Sequence, residues 1–353
     1  MEPSIIRSSL RSFFSAISSI IGIGMGIILV VLVIASLTRL SDDKLEIKSH
    51  FSPTIVANEK DVRKALSKKA PVILKINIGG LIGTDKLNMH TVQQQLTESR
   101  EGKLKKNRVK ALLIHINSPG GTVVDADGIY LALKEYKERY EVPVFAYVDG
   151  LCASGGMYIA SAADKIFASD ISLIGSIGVL SPPFFNVTKL MEKVGVEAKT
   201  LFAGKGKEDL NPFRPWKPGE EESLKSIIDY YYNHFVDIVT SNRPKIKRDL
   251  LIDEYGAHVF PAPKALEYGL IDGIEHSLND AIKLVAKEID IEDKYYQVIK
   301  MDRKLWLSEL LKDDSPMMTG ELKHRLELTP ELDSRLMNQF LYLYMPGHPS
   351  PGT

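Results

Sequence analysis

The chain has 353 residues, and its 45 Lys and Arg side chains balance its 45 Asp and Glu side chains. The balanced charge and ordinary apolar content give no reason to expect a nucleic-acid partner. The single cysteine, Cys152, excludes an intramolecular disulfide and a cysteine-rich zinc site. The length suits one large domain or two ordinary domains.

An apolar segment without charged side chains lies near the start of the chain, over residues 13–37. About 20 apolar residues are needed to cross the bilayer core, whereas the apolar part of a secretory signal has about 7–15. The length therefore predicts an uncleaved transmembrane anchor over 13–38, after a short tail over 1–12; a cleaved signal peptide is the alternative. Basic residues flank the segment on both sides, so charge alone does not predict the orientation.

Strand-like and helix-like segments alternate after a polar connector over residues 39–62. The apolar patterns predict strands at 71–78, 109–116 and 142–148, and helices over 90–106 and 125–140. This alternation predicts an α/β domain with parallel strand pairing over 63–300. Residues 301–353 are predicted to form a C-terminal extension that is partly disordered, because it ends in a Pro/Gly-rich stretch.

Candidate chemistry lies at the carboxyl ends of two predicted strands, where open α/β sheets bind ligands. INSPGG (116–121) contains Gly120 and Gly121, which can turn backbone amides toward a ligand oxygen. A plain turn is the alternative. Ser154 precedes a helix-like segment, where the helix N-terminus and the Gly155 amide can stabilise an oxyanion formed by serine attack. The alternative role for Ser154 is that of a helix N-cap.

A nucleophilic serine requires a base. The sequence places no histidine and carboxylate convincingly beside Ser154, since His115 lies in a predicted buried strand and His234 on a predicted helix. A lysine can act as a base if desolvation or nearby positive charge lowers its pKa. Lys205 and Lys207, next to glycines in FAGKGKEDLNPF (202–213), are the candidates, and ordinary exposed loop lysines are the alternative.

Five sequence blocks resemble the signal peptide peptidase A family, the membrane-bound Ser/Lys peptidases of family S49, and occur in the family's order. They are INSPGG, GLCASGGMYIASAADKIFA, LIGSIGV, FAGKGKEDLNPF and ALEYGLIDGI, within about residues 72–285. The first two are shared more loosely with the Clp protease and crotonase superfold. The resemblance therefore implies this α/β superfold for the body, preceded by one transmembrane helix. A single serine block and a single lysine block indicate a short, single-domain form.

The resemblance implies a role for each matching side chain. Ser154 corresponds to the nucleophile, Lys207 to the general base, and Ser176 to a serine that orients the lysine amine. Gly206 stands where the family often has an aromatic residue, and this departure keeps Lys205 as a lesser candidate for the base.

The same resemblance implies an oxyanion hole formed by backbone amides. Gly155 and one of the pair Gly120 and Gly121 occupy the matching positions, and the sequence does not say which glycine of the pair donates. The family's reaction needs no metal and no cofactor, so none is expected here.

The resemblance also implies partners and a location. We expect a homo-oligomeric ring in which neighbouring protomers supply the serine and the lysine, so that an isolated monomer is inactive. The expected substrates are apolar, extended peptides such as released signal peptides or membrane-protein fragments. The expected location is the inner (cytoplasmic) membrane, crossed once, with the catalytic body outside the cytoplasm.

Three alternatives to a Ser/Lys peptidase remain open on the sequence. They are a non-catalytic membrane scaffold, another acyl-transfer enzyme on the same superfold, and a Ser-His-Asp peptidase.

Overall fold

The computed structural model describes residues 5–40, 49–292, 295–304 and 340–344. The chain divides into two compact units, Met1–Ser49 and His50–Thr353. The first unit contains helix α1, Ile5–Leu40. Its segment Leu10–Ile34 has a mean hydropathy of 2.8 and is long and apolar enough to cross a membrane. This helix is consistent with a single-pass membrane anchor.

The second unit alternates strands and helices, as its sequence pattern predicts. In chain order its elements are β1 (Phe51–Val56), β2 (Val72–Gly79), α2 (Met89–Glu98), β3 (Val109–Ser118), β4 (Gly120–Thr122), α3 (Val123–Tyr140), β5 (Val144–Ala153), α4 (Gly155–Ala160), β6 (Lys165–Ala168), β7 (Leu173–Gly175), α5 (Thr188–Val194), α6 (Glu222–Asn242), α7 (Arg248–Leu250), β8 (Val259–Pro261), α8 (Ala262–Glu267), β9 (Gly273–Ile274), α9 (Leu278–Glu288), β10 (Gln297–Arg303) and β11 (Leu341–Leu343).

The main sheet of the described residues has the strand order β1-β10-β2-β3-β5-β6-β9, and β7 branches from β5 to pair with β8. The neighbours from β10 to β9 along this order are parallel, while β1 pairs antiparallel with β10 and β8 antiparallel with β7. Strand β5 pairs with β6 through its first half and with β7 through Leu151–Ala153. β5 therefore changes its partner a few residues before Ser154, and Ser154 follows the part of β5 that pairs with β7.

Helices cover both faces of the sheet, because the buried strands carry apolar side chains on both sides. On one face the side chains of α2, α3, α4 and α6 pack with alternate strand residues such as Leu74 and Ile114. On the other face α9 packs against Ile73, Leu113 and Phe145. This three-layer arrangement holds the carboxyl ends of β3 and β5 rigidly beside each other.

The structure differs from three predicted boundaries. The boundary predicted after residue 300 falls inside β10, which continues to Arg303 because it pairs with β1 on one side and β2 on the other. Residues 51–56 belong to the sheet as the edge strand β1, although the sequence places them in the polar connector. Pro53 weakens the strand signal, but proline is tolerated at a sheet edge, where one side of the strand needs no partner. The helix predicted over 90–106 ends at Glu98, and Gly102 follows with a positive φ of 50° that a helix does not contain.

Candidate active site

Ser154 lies at the turn between β5 and α4, in a backbone conformation that serine rarely adopts. Its φ and ψ are 55° and −116°, and such a conformation costs about 1–3 kcal/mol in a residue other than glycine. The Ser154 side chain is buried, and its Oγ has no hydrogen-bond partner among the described residues. It makes no capping hydrogen bond to α4. The Ser154 side chain therefore does not act as an N-cap of α4 in this structure.

Ser176 lies directly beside Ser154, because β7 continues the pairing of β5. Ala153 is opposite Gly175, and the Ser154 amide donates to the Gly175 carbonyl at 2.9 Å. Ser176 also has a positive φ, of 54°, and its amide donates to the His258 carbonyl at 2.7 Å. Two serines with strained backbones thus lie at the ends of neighbouring parallel strands.

The glycine loop that follows β3 lies against the start of α4. A methyl group built on Gly120 would lie 2.8 Å from the Gly155 nitrogen, so the glycine loop and the first amide of α4 line the same small space. The Gly120 amide donates to Ser118 Oγ at 3.1 Å, and Ser118 Oγ donates to the Gly80 carbonyl at 2.7 Å. With the Gly120 amide occupied in this way, Gly121 is the better placed donor of the pair.

Residues 340–344 occupy the groove beside this space as an extended strand. Strand β11 pairs antiparallel with β4, with Tyr342 opposite Gly121. On the other edge of β11, Leu180 and Leu341 exchange two backbone hydrogen bonds of 3.1 and 3.0 Å. The segment is thus bound on both edges, which is how peptides bind by strand addition.

The Tyr342 carbonyl points into the space between the two glycine segments. A methyl group on Gly120 would lie 1.9 Å from this oxygen, and one on Gly155 would lie 3.2 Å from it. The Val123 amide donates to the Phe340 carbonyl and the Tyr344 amide to the Pro119 carbonyl. Since hydrogen-bonded pairs alternate along an antiparallel ladder, the Gly121 amide faces the Tyr342 carbonyl. The carbonyl of the segment bound in this groove thus faces the Gly121 amide, one of the amides that the family resemblance implies for an oxyanion hole, and lies close to Gly155.

Lys207 and Lys205 lie on an exposed segment of the single chain. No described side chain is hydrogen-bonded to Ser154 Oγ, so neither lysine reaches it within this chain. Among the apolar residues that follow Ser176, Leu180 lies at the groove that holds β11, whereas Phe184 and Phe185 are exposed. The structure therefore brings together the serines and glycines of the predicted site, and it leaves the predicted base apart from them.

Other nucleophiles and bases near Ser154 are already engaged or unsuited. Burial raises the pKa of the Cys152 thiol and disfavours the thiolate. His234 lies 3.7 Å from Asp127, and His115 lies between Lys75 and Asp149, at 3.3 and 3.6 Å. In the part of the chain that the structure describes, no histidine is hydrogen-bonded to Ser154 Oγ. This arrangement does not favour a Ser-His-Asp site.

Ser118 and the strand over 340–344 lie at the site but were not predicted from the sequence. Ser118 belongs to the INSPGG block but carries no signal of its own, because its role depends on a contact with Gly80. The apolar run FLYLY (340–344) is a short strand-like pattern, but nothing in the pattern indicates what it pairs with.

Two family profiles match this chain. Residues 136–292 match peptidase family S49, and residues 59–175 match Clp protease. Together with the mixed α/β sheet, the second match confirms the predicted Clp protease-like fold.

Among curated proteins, the chain is 27% identical to a putative signal peptide peptidase SppA of Enterococcus faecium, over 77% of this chain and 81% of that protein. It is 37% identical to the putative protease slr0021 of Synechocystis, over 48% and 60% of the two chains. It is 34% identical to a protein named Na(+)/H(+) antiporter NhaA of Brucella melitensis, over 52% and 24%. The chain thus spans less than two thirds of the length of two of these three relatives.

Proposed function

Because the chain belongs to peptidase family S49, we propose that it is a membrane-anchored serine endopeptidase that uses Ser154 and Lys207. The family and its protease-named relatives assign the chain to the peptidases. The observation that carries the serine assignment is the strained, buried and unpartnered hydroxyl of Ser154, next to backbone amides that meet a peptide carbonyl. A structural serine has no need of this arrangement.

The proposed reaction begins when the neutral amine of Lys207 takes the Ser154 proton and Oγ attacks the peptide carbonyl carbon. The Gly121 and Gly155 amides stabilise the oxyanion that forms. The lysine ammonium then gives its proton to the leaving amine as the C–N bond breaks, which leaves an acyl ester on Ser154. Water attacks this ester while the same lysine takes its proton and returns it to Oγ. Ser176 orients the lysine amine throughout.

We propose that the lysine comes from a neighbouring protomer of a homo-oligomeric ring. A lysine that acts as a base needs a desolvated site, whereas Lys207 is exposed in the single chain. Contact with a second protomer would remove this water. The segment between β7 and α6 supports such a contact, because none of the residues of α5 is buried. The apolar side chains that it exposes are large and neighbouring: Phe184, Phe185, Leu190, Val194, Leu201 and Phe202.

The proposed substrates are apolar peptides in extended conformation, such as released signal peptides or membrane-protein fragments. A groove that binds strand β11 on both edges requires an unfolded segment, since a folded one has no free backbone groups. The apolar helix of the first unit would hold the enzyme at the inner membrane, with the catalytic body outside the cytoplasm.

Peptide hydrolysis by the full chain in detergent tests this proposal. We expect Ser154→Ala and Lys207→Ala each to lower kcat/KM on a quenched apolar peptide by more than about 10³-fold. Lys205→Ala is the matched control and should change it little. Activity in Lys207→Ala would overturn the choice of base. An assembled wild type that cleaves nothing would favour the scaffold, and a rise in activity near pH 6–7 rather than at 8 or above would favour a histidine base.

A further inference from the structure

Two basic segments enter the main sheet side by side. Residues 63–69 precede β2 and contain four Lys or Arg side chains, and residues 102–110 lead into β3 and contain five. Neither segment contains Asp or Glu. Because β2 and β3 are parallel and pair from Val72 and Val109 onward, both segments lie at the amino ends of these strands. Ser154 follows the carboxyl end of β5, which is parallel to β3, so the basic segments lie at the opposite edge of the sheet.

A cavity of about 520 Å³, which we call the basic cavity, lies between the two segments. Five positively charged side chains line it: Lys68, Lys69, Lys106, Arg108 and Lys110. A concave space that collects charges of one sign focuses their potential, and a positive potential raises the local concentration of anions. The shape and the charge of the cavity therefore both favour an anionic ligand.

The described residues supply no negative charge to the basic cavity. None of the residues that line it is acidic. Acidic residues flank Ile289 and Ile291 of the lining in the sequence, but they do not line the cavity, and Glu288 pairs with Lys165 instead. Within the described ranges, the lysines that form ion pairs are all outside the cavity. The lysines of the cavity therefore repel one another without compensation, which costs free energy of folding.

Arg108 is the buried member of this group, and its partners among the described residues are neutral. Its guanidinium donates to the carbonyls of Ala70 and Lys103, at 3.0 and 2.7 Å, and to Gln297 Oε1 at 3.0 Å. Burial lowers the pKa of this guanidinium. The other buried arginine that the structure describes, Arg243, is paired with a carboxylate. A buried cation without an anionic partner is unfavourable, and a bound anion would offset that cost.

We propose that the basic cavity is a binding site for a phosphate group and that it is separate from the peptidase site. A phosphate carries up to about two negative charges and three acceptor oxygens on one centre, so several lysines can meet it at once. A carboxylate offers a single charge to the same set of cations. The apolar side chains of Ile289 and Ile291 complete the lining and suit the carbon atoms of an organic phosphate. The ligand is thus a free phosphate compound or the head group of an anionic phospholipid.

Calorimetric titration of the full chain with inorganic pyrophosphate, in a neutral detergent, tests this inference. We expect Lys69→Gln/Lys110→Gln to weaken binding by about tenfold or more, because two of the charges that face the anion are lost. The matched control Lys134→Gln/Lys283→Gln removes the same charge outside the cavity and should leave the affinity within about twofold. Both double variants should keep the melting temperature and the peptidase activity of the wild type, since the cavity lies at the edge of the sheet opposite Ser154.

Glycerophosphoglycerol, a phospholipid head group without its acyl chains, separates the two sources of phosphate. If it binds at least as tightly as pyrophosphate, the ligand is a lipid head group. If pyrophosphate alone binds, the ligand is a free phosphate compound, and both results support the inference. Failure of both compounds to bind, or equal affinities of the two double variants for pyrophosphate, would overturn it. An octaglutamate peptide that binds more tightly than either compound would overturn it as well, because the cavity would then recognise an acidic protein segment.

Discussion

Ser154 combines three properties that seldom occur together in a structural serine: a positive φ, complete burial and a hydroxyl without a hydrogen-bond partner in the described part of the chain. Each of them costs free energy of folding. In the proposed function the strained turn places Oγ at the start of α4, and the missing hydrogen bond leaves Oγ available to a base from outside the chain. The strain is thus explained by the reaction rather than by packing.

Replacing Ser154 separates the energetic cost of its backbone from the chemistry of its hydroxyl. Ser154→Ala and Ser154→Gly should both abolish peptidase activity. Ser154→Gly should be more stable than Ser154→Ala by about 1 kcal/mol, because glycine adopts a φ of 55° without a Cβ clash. Unfolding of both variants in guanidinium measures the difference. A glycine variant less stable than the alanine variant would show that the backbone at Ser154 is not strained.

The Gly120→Ala variant tests whether the glycine loop lies as close to strand β11 as the structure shows. The new methyl group in Gly120→Ala would lie 1.9 Å from the Tyr342 carbonyl oxygen, and φ at Gly120 is 103°. We expect kcat/KM to fall by about 10²-fold or more, because substrate carbonyls would be displaced from the candidate oxyanion hole. Gly79→Ala is the matched control, since no atom lies within 4 Å of its methyl position. Equal activity of the two variants would contradict this geometry.

At the scale of elements, the sequence predicts the long buried strands and misses several short ones. β2, β3 and β5 follow from apolar runs, because both faces of a parallel sheet are covered. β4, β7 and β11 have three residues each, too few to show a period, and form where a neighbouring strand offers hydrogen bonds. The site lies among these short strands. Its residues could be proposed from a family resemblance, while the pairing of 340–344 with the glycine loop could not.

An ion pair between the buried Arg243 and the partly exposed Asp272 fixes the end of α6 against the edge of the sheet. Arg243 Nη2 lies 2.7 Å from Asp272 Oδ1, and Asp272 Oδ2 accepts from the Ile166 amide at 2.8 Å. Burial works against the charged form of Asp272, but the Arg243 guanidinium and the Ile166 amide outweigh it and hold the pKa of this carboxyl below its usual value. The stabilisation is complete above the ordinary pKa near 4 and is lost as the pH falls through the lower, folded-state pKa.

Asp272→Asn should therefore lower the free energy of unfolding by about 1–2 kcal/mol at pH 7, because it removes the charged partner of the buried Arg243, while the partial exposure of Asp272 limits the loss. The difference from wild type should begin to shrink as the pH falls below about 4 and should vanish below the lowered folded-state pKa, where the wild-type carboxyl is also neutral. Denaturant unfolding at the two pH values measures both effects. The control Glu267→Gln, which breaks an exposed pair with Lys264, should change little. A difference independent of pH would exclude the ion pair as its cause.

At the scale of the whole molecule, the single chain provides the proposed serine site but not its base. The exposed apolar segment from Phe184 to Phe202 and the exposed position of Lys207 agree with an active site completed by a second copy. Sequence blocks carry no information about distances between protomers, so the sharing of the site could only be proposed from the family resemblance. It remains a prediction that depends on assembly.

Mixing two inactive variants tests this sharing. When full-length Ser154→Ala and Lys207→Ala chains are co-expressed, some neighbouring pairs contain an intact Ser154 on one protomer and an intact Lys207 on the other. We expect peptidase activity to return in part, whereas each variant alone stays inactive. Light scattering must show that both variants assemble. Assembly without recovered activity would place the serine and its base in one chain.

The most direct test of the central claim, that Ser154 is a nucleophile activated by Lys207, is covalent labelling of the full chain with an alkyl fluorophosphonate. Tryptic mass spectrometry then locates the adduct. We predict a single modified serine, Ser154, with labelling strongly reduced in Lys207→Ala and unchanged in Lys205→Ala. An adduct on another residue, or an unlabelled Ser154 in a preparation that cleaves peptides, would contradict this account.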